Sequence, residues 1–214
     1  FDPYVVTNFL GLIASTLLAD AVQKGRSLFA GRIGQRVASE GVTIVDDGTL
    51  PGGLMSSPFD GEGVPSQKTI LIANGELLGF LHNSYTGRRE GVPSTGNAKR
   101  ASFKSPPEVG ITNFYLAPGE KNPQEIIEKT EKGFYVTEVM GMHTANPVSG
   151  DFSVGAAGIW IENGELTIPV RGMVIAGNIL ELLMNVDMVG SDLRFFIGTG
   201  APTIRVAGLT VSGQ

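Results

Sequence analysis

Few side chains in this sequence could bind a metal or act as a nucleophile. His82 and His143 are the only histidines among 214 residues, and cysteine is absent. Protein zinc sites use three or four ligands, usually with His or Cys pairs at short spacing. Neither histidine has such a neighbour, and Asp151 near His143 does not complete a ligand set. Ser84 lies near His82 without the Gly-x-Ser-x-Gly pattern of a hydrolase nucleophile. We therefore predict no bound metal, no cofactor and no serine nucleophile.

Asparagine side chains are the best candidates for binding a ligand. The segment 95–100, TGNAKR, contains Asn97 and Arg100, and Asn113 follows downstream. Each asparagine offers both donors and acceptors, which suits contact with the main chain of an extended peptide. Alternatively, the two amides hydrogen-bond to the backbone of their own loops. The sequence leaves peptide binding and loop stabilisation equally open.

The charge of the chain argues against nucleic acid as a partner. Its formal net charge is −5, whereas sequence-independent binding of nucleic acid requires a basic patch. The longest apolar stretch, residues 9–19, is interrupted by polar and glycine residues and is too short to span a bilayer. The absence of cysteine fits a reducing compartment. We expect a soluble, cytoplasmic protein that binds neither membrane nor nucleic acid.

Apolar spacing predicts a helix at the start of the chain. Apolar residues recur every three or four positions across residues 2–23, and Gly25 is a suitable end. The predicted buried face comprises Val6, Leu10, Ile13, Leu17 and Ala21. A strand at 42–45 is followed by a glycine- and proline-rich loop over 46–65. A loop of this length in a compact domain is usually functional or part of an interface.

Two β-hairpins are predicted where Asn-Gly separates apolar runs, because this pair favours a tight turn with positive φ at both central residues. Asn74-Gly75 joins 69–73 to 76–81, and Asn163-Gly164 joins 158–162 to 165–170. Further predicted elements are strands at 112–116, 134–139, 171–176, 193–197 and 203–211, and helices at 123–132 and 178–186. Since no β-α-β repeat occurs, we predict an α+β fold with a mostly antiparallel β-sheet or barrel-like core and a few helices.

A series of short segments runs through nearly the whole chain in a fixed order. They are VDDG at 45–48, FDGEG at 59–63, STGNAKR at 94–100, TN at 112–113, SGDF at 149–152, WIENG at 160–164 and IAGN at 175–178. Their order and spacing resemble the TldD/PmbA family, also called modulator of DNA gyrase and peptidase U62-like. The resemblance implies that residues 1–214 are the C-terminal part of a longer protein with a preceding N-terminal domain.

The same resemblance implies that residues 9–25 correspond to a zinc-peptidase helix, which in catalytic members carries two histidines and a glutamate. Leu10, Gly11 and Ser15 stand at those positions. Leucine cannot ligate zinc, glycine cannot act as a general base, and a lone serine hydroxyl is a poor zinc ligand. Catalytic members also carry a cysteine ligand near the C-terminus, where residues 195–206 contain none. The resemblance therefore points to the non-catalytic, PmbA/TldE-like branch.

The implied function is that of a subunit that pairs with a TldD-like zinc metallopeptidase and helps to process unfolded peptides. The loop containing His143 resembles a cleft-lining loop of the family. The candidate peptide-binding residues are therefore Asn97, Arg100, Asn113 and His143. One alternative is a stand-alone homodimeric peptide-binding module without peptidase activity. Another is an enzyme whose catalytic groups lie in the N-terminal part. We expect a dimer, with the partner or with a second copy.

Overall fold

The chain begins with two short helices rather than one long helix. In the computed structural model, which describes residues 1–213, helix α1 (Pro3–Thr16) starts after Asp2, whose Oδ1 accepts a hydrogen bond from Tyr4 N at 2.9 Å. Leu17 O then accepts from Leu81 N at 3.0 Å, and α2 (Ala19–Gln23) follows. The prediction of one continuous helix is wrong here, because pairing with a distant segment interrupts it. The predicted face is buried through position 17, and Ala21 is half-buried.

The remaining elements are mostly short strands. In chain order they are β1 (Ile44–Asp47), β2 (Lys68–Ala73), β3 (Glu76–Leu77), α3 (Ser84–Glu90), β4 (Ala98–Lys99), β5 (Glu108–Val109), β6 (Phe114–Leu116), α4 (Pro123–Glu128), β7 (Lys132–Met140), β8 (Asp151–Glu162), β9 (Glu165–Asn178), α5 (Ile179–Met184), β10 (Val186–Val189), β11 (Arg194–Phe196), β12 (Thr199–Ala201), β13 (Ile204–Val206) and β14 (Thr210–Ser212). A 3-10 turn spans Met142–Thr144.

Two larger sheets form the body of the molecule. The first has the order β11-β12-β6-β1-β2-β3, and only its β12–β6 pair is parallel. The second has the order β14-β9-β8-β7 and is antiparallel throughout. Two small sheets pair β10 with β13 and β4 with β5. The predicted α+β fold with mostly antiparallel sheet is confirmed, and within residues 1–213 none of the sheets closes into a barrel.

Helix α1 joins the two larger sheets into one core. It packs against β12, β11 and β6 of the first sheet and against β7 of the second. Phe9 is fully buried, and its ring meets the ring of Phe152 on β8 edge to face, with the centroids 5.1 Å apart. None of the helices in residues 1–213 is long and apolar enough to cross a membrane. The positions that the resemblance aligns with a zinc helix thus belong to the central packing element.

Both predicted Asn-Gly turns are confirmed. Asn74 and Gly75 have φ values of 48° and 82°, and Asn163 and Gly164 have φ values of 54° and 80°. Other boundaries differ. Helix α4 begins at the predicted cap, Asn122, but ends at Glu128 because the tip of the second hairpin bonds to the carbonyls of residues 130 and 131. Strand β1 extends to Asp47, two residues beyond its prediction, and residues 48–65 contain no helix or strand.

Candidate functional site

A buried carboxylate at the end of β1 organises the loops around it. Asp46 is 1% exposed. Its Oδ1 accepts from Thr112 N at 2.6 Å, and its Oδ2 accepts from Thr112 Oγ1 and Asn97 Nδ2, each at 2.7 Å. Burial raises the pKa of Asp46, although these donors act in the opposite direction. The carboxylate thus fixes the segments at 97 and 112 to the central strand of the first sheet.

Asn97 is a structural member of this cluster. Besides its bond to Asp46, its Nδ2 donates to Gly110 O at 3.1 Å, and its Oδ1 accepts from Thr95 Oγ1 at 2.6 Å. The side chain is buried and both of its amide hydrogens are engaged. The structure therefore favours the loop-stabilising alternative for this amide.

Asn113 stabilises the long loop, residues 48–65, in a similar way. Its Nδ2 donates to Asp47 O at 2.7 Å and to Ser56 Oγ at 2.9 Å, and its Oδ1 accepts from Met55 N at 3.1 Å. The side chain is fully buried. Neither asparagine has a free amide hydrogen to offer a peptide. Peptide binding stays a prediction for this region. A peptide bound here would contact the groups around the two asparagines and not their amide hydrogens.

These hydrogen bonds shape a cleft between the long loop and the 96–100 segment. Its volume is about 390 Å³, and Met55, Phe59, Asp60, Lys99 and Arg100 are among the residues that line it. Asp60 fixes the loop, since its Oδ1 accepts from the backbone N–H groups of residues 62 and 64 and its Oδ2 accepts from Ala98 N. Phe59 leaves 54% of its surface exposed. The cleft therefore combines an open apolar wall with two cations.

Arg100 lies at the exposed edge of the cleft. Its Nε donates to Gly61 O at 2.8 Å, and its Nη1 donates to Ser105 O at 2.7 Å. No hydrogen-bond partner of Nη2 is found within residues 1–213. The guanidinium therefore anchors two loops and still has donors available. It is the one of the three predicted polar residues in this region that a ligand could reach.

The two histidines occupy different elements and different environments. His143 is exposed in the 3-10 turn. His82 is buried, its Nε2 lies 3.8 Å from Glu90 Oε2, and its Nδ1 has no hydrogen-bond partner within residues 1–213. Burial lowers the pKa of His82. Asp151 is exposed and accepts from Asn178 Nδ2 at 2.9 Å. In the described part of the chain, no three His, Asp or Glu side chains are grouped as metal ligands would be.

The three positions aligned with a zinc motif do not fit a zinc ion. Leu10 is buried in the core on one side of α1, whereas Gly11 and Ser15 lie on its exposed side. The Ser15 hydroxyl donates to Leu12 O at 2.7 Å. Zinc in proteins takes imidazole, thiolate or carboxylate ligands, and these positions supply none of them. We therefore derive no zinc chemistry from this helix.

The C-terminal hairpin β11–β12 lies beside α1 and beside the cleft. The Phe196 ring meets the Tyr4 ring of α1 edge to face, with the centroids 5.3 Å apart. Gly198 lies so close to Met55 that a Cβ built on this glycine would be 2.5 Å from Met55 Cγ. The fold thus brings the start of α1, the C-terminal hairpin and the long loop to one surface. Sequence spacing alone did not indicate this convergence.

Comparison with known proteins identifies the family to which the chain belongs. A family-wide sequence profile described as the PmbA/TldA metallopeptidase C-terminal domain matches residues 1–213. Among solved structures, a candidate modulator of a DNA gyrase from Thermotoga maritima has a TM-score of 0.91 and 38% identity, covering 97% of this chain and 47% of its own. TldE from Thermococcus kodakarensis has a TM-score of 0.87 and 30% identity, covering 95% and 48%.

A curated relative carries the other name of the family. The metalloprotease TldD homologue of Buchnera aphidicola is 33% identical over 216 residues, covering 94% of this chain and 44% of that protein. The chain spans somewhat less than half the length of each of these relatives. Identity to the TldD homologue and to TldE is similar, so overall identity does not assign a branch. The chain belongs to the PmbA/TldD metallopeptidase family, and it has the fold of that family's C-terminal domain.

Proposed function

We propose that this chain is the C-terminal part of a non-catalytic, TldE/PmbA-like subunit that pairs with a TldD-like metallopeptidase. In this proposal the complex cuts unfolded peptides in the cytoplasm, and the partner subunit supplies the zinc and the catalytic groups. The observation that carries the proposal is the composition of α1. Leu10, Gly11 and Ser15 supply no ligand or general base, and Leu10 is part of the hydrophobic core.

An exposed apolar surface supports a role in binding. It lies where the C-terminal hairpin meets α1 and the long loop, and we call it the apolar rim; its members are Tyr4, Leu54, Met55, Phe196 and Ile197. Ile197, at the hairpin tip, leaves 76% of its surface exposed and has a φ of 61°. Contiguous exposed apolar residues commonly mark protein or peptide binding sites. The rim continues into the cleft through Met55.

The test uses the full-length protein together with a TldD-like metallopeptidase from the same organism. We expect light scattering to give the mass of a mixed dimer, and we expect unstructured peptides to be cleaved only by the mixture. A chelator should abolish this cleavage, because the partner's zinc is required. Chelator-sensitive cleavage by this protein alone would contradict the proposal. A homodimer whose mass does not change when the metallopeptidase is added would favour the stand-alone peptide-binding module instead.

A pair of variants tests the apolar rim. Ile197→Asp places a charge at the hairpin tip, and we expect it to lower cleavage by the mixture. Ile168→Asp is the matched control, because Ile168 is also strongly exposed but lies on β9 of the other sheet. Equal effects of the two substitutions would show that the rim has no special role.

A further inference from the structure

The Lys99 ammonium is a half-buried cation without a close partner. Lys99 ends β4 and pairs across the strands with Glu108. Its aliphatic stem lies over Gly110, where a Cβ would come within 2.7 Å of Lys99 Cδ. Within residues 1–213, no carboxylate oxygen lies within 4.0 Å of its Nζ, and Nζ donates no hydrogen bond. Burial lowers the pKa of Lys99, and Asp46 opposes this shift.

The Asp46 and Asp60 carboxylates are already engaged, and Glu108, opposite Lys99 on β5, is exposed and is not among the residues that line the cleft. Both oxygens of Asp46 accept hydrogen bonds from Thr112 and Asn97. Both oxygens of Asp60 accept from backbone N–H groups. Among the charged groups that line the cleft, those with hydrogen-bonding capacity left are therefore donors, namely the Lys99 ammonium and Nη2 of Arg100. A ligand that complements them must bring acceptors, and a carboxylate forms the strong charge-assisted hydrogen bonds that lysine and arginine donate.

We propose that Lys99 and Arg100 bind a carboxylate group of the peptide that occupies this cleft. The inference rests on the proposed peptide-binding function and adds the chemistry that the peptide must carry. The apolar wall of Met55 and Phe59 accommodates an aliphatic or aromatic side chain beside that carboxylate. The carboxylate belongs either to an Asp or Glu side chain or to the C-terminus of the peptide, and both present the same two oxygens.

The experiment measures binding of a fluorescent, unstructured ten-residue peptide to this chain by anisotropy, at an ionic strength near 0.15 M. The peptide is made in four forms. Two chosen positions carry either Glu at both or Gln at both, and the C-terminus is either free or amidated. We expect at least one carboxylate-bearing form to bind about tenfold more tightly than the form with Gln and an amide. Which form gains affinity identifies the source of the carboxylate.

Variants locate the effect at Lys99. Lys99→Met keeps the aliphatic stem over Gly110 and removes one of the two charges, so we expect the carboxylate-bearing peptide to lose most of its advantage over the neutral one. Lys99→Arg should retain the preference, because guanidinium also pairs with carboxylate. Lys132→Met, an exposed lysine on β7, is the matched control and should change nothing. Circular dichroism of each variant verifies folding.

The outcomes separate this inference from the proposed function. Equal binding of the four peptide forms, absence of binding by all of them, or equal effects of Lys99→Met and Lys132→Met would overturn carboxylate recognition. The comparison of peptide forms needs only the unmodified chain, so it holds even if a variant does not fold. Pairing with the metallopeptidase and cleavage of neutral peptides by the mixture would survive such a result, because neither requires a carboxylate site.

Discussion

Asn97 Nδ2 donates to Asp46 Oδ2 at 2.7 Å, although the two residues are 51 positions apart. This bond joins the end of β1 to the segment that precedes β4, and Asn97 is one of the residues that line the candidate cleft. Both side chains are buried. The pair therefore positions the backbone that carries Lys99 and Arg100, so the stability of the fold and the geometry of the cleft depend on the same contacts.

We expect Asp46→Asn to destabilise the protein by about 2 kcal/mol. The carboxylate accepts hydrogen bonds at both oxygens. An amide in its place replaces one acceptor oxygen by an NH2 donor that faces existing donors, which leaves buried groups unsatisfied. Denaturant unfolding monitored by circular dichroism measures the free energy of unfolding. Asp20→Asn is the control: Asp20 pairs with Lys24 on the surface, and such pairs contribute about 0–1 kcal/mol. Equal losses in the two variants would contradict the structural role of Asp46.

The turn at Gly75 provides a second stability test. Gly75 has a φ of 82°, and a Cβ there would lie 2.2 Å from Ala38 O. We expect Gly75→Ala to cost more than 3 kcal/mol, roughly the range of severe core substitutions, because backbone must move. Gly63 has the same φ, but a Cβ there meets nothing within 4 Å. Gly63→Ala should therefore cost only the backbone term, about 1–2 kcal/mol. Thermal unfolding of both variants separates steric conflict from backbone strain.

The sequence predicted the parts of the fold that are determined by residues adjacent in the chain. Asn74-Gly75 and Asn163-Gly164 form tight turns because both central residues require positive φ, which these residue types tolerate. The end of α1 could not be predicted in this way. Leu17 leaves the helix because its carbonyl pairs with Leu81, and no feature near Leu17 indicates that partner.

The candidate site likewise contains residues that the sequence indicated and residues whose role only the tertiary structure shows. The sequence drew attention to Asn97 and Asn113, which do lie in one cluster of buried polar residues. It did not show that the Asp46 carboxylate accepts from the amide of Asn97 and that the Asp47 carbonyl accepts from the amide of Asn113. Both aspartates stood in a predicted loop, and their only signal was the polar Asp-Asp-Gly after an apolar run. Lys99 was likewise missed as an individual candidate. Its significance comes from burial and from the absence of a close partner, and both depend on tertiary structure.

We expect the purified chain to contain far less than one zinc per molecule after dialysis. Leu10, Gly11 and Ser15 provide no imidazole, thiolate or carboxylate, and the chain has no cysteine. Elemental analysis by mass spectrometry gives the zinc content directly, and a TldD-like metallopeptidase purified in parallel serves as the positive control. About one zinc per molecule of this chain, resistant to dialysis, would mean that another ligand set exists and that the non-catalytic assignment is wrong.

The affinity for an acidic peptide should fall at alkaline pH if Lys99 binds its carboxylate. The ammonium is the binding form, so the contribution of Lys99 to affinity is present below the Lys99 pKa and is lost as the pH rises through it. Burial lowers this pKa, so the loss should begin below the value of about 10.4 that a free lysine has.

Carboxylates and guanidinium groups do not titrate between about pH 7 and pH 10. The Lys99→Arg variant should therefore bind with little pH dependence over this range. Anisotropy titrations of both proteins with the same peptide provide the comparison, and parallel curves would show that another group causes the loss.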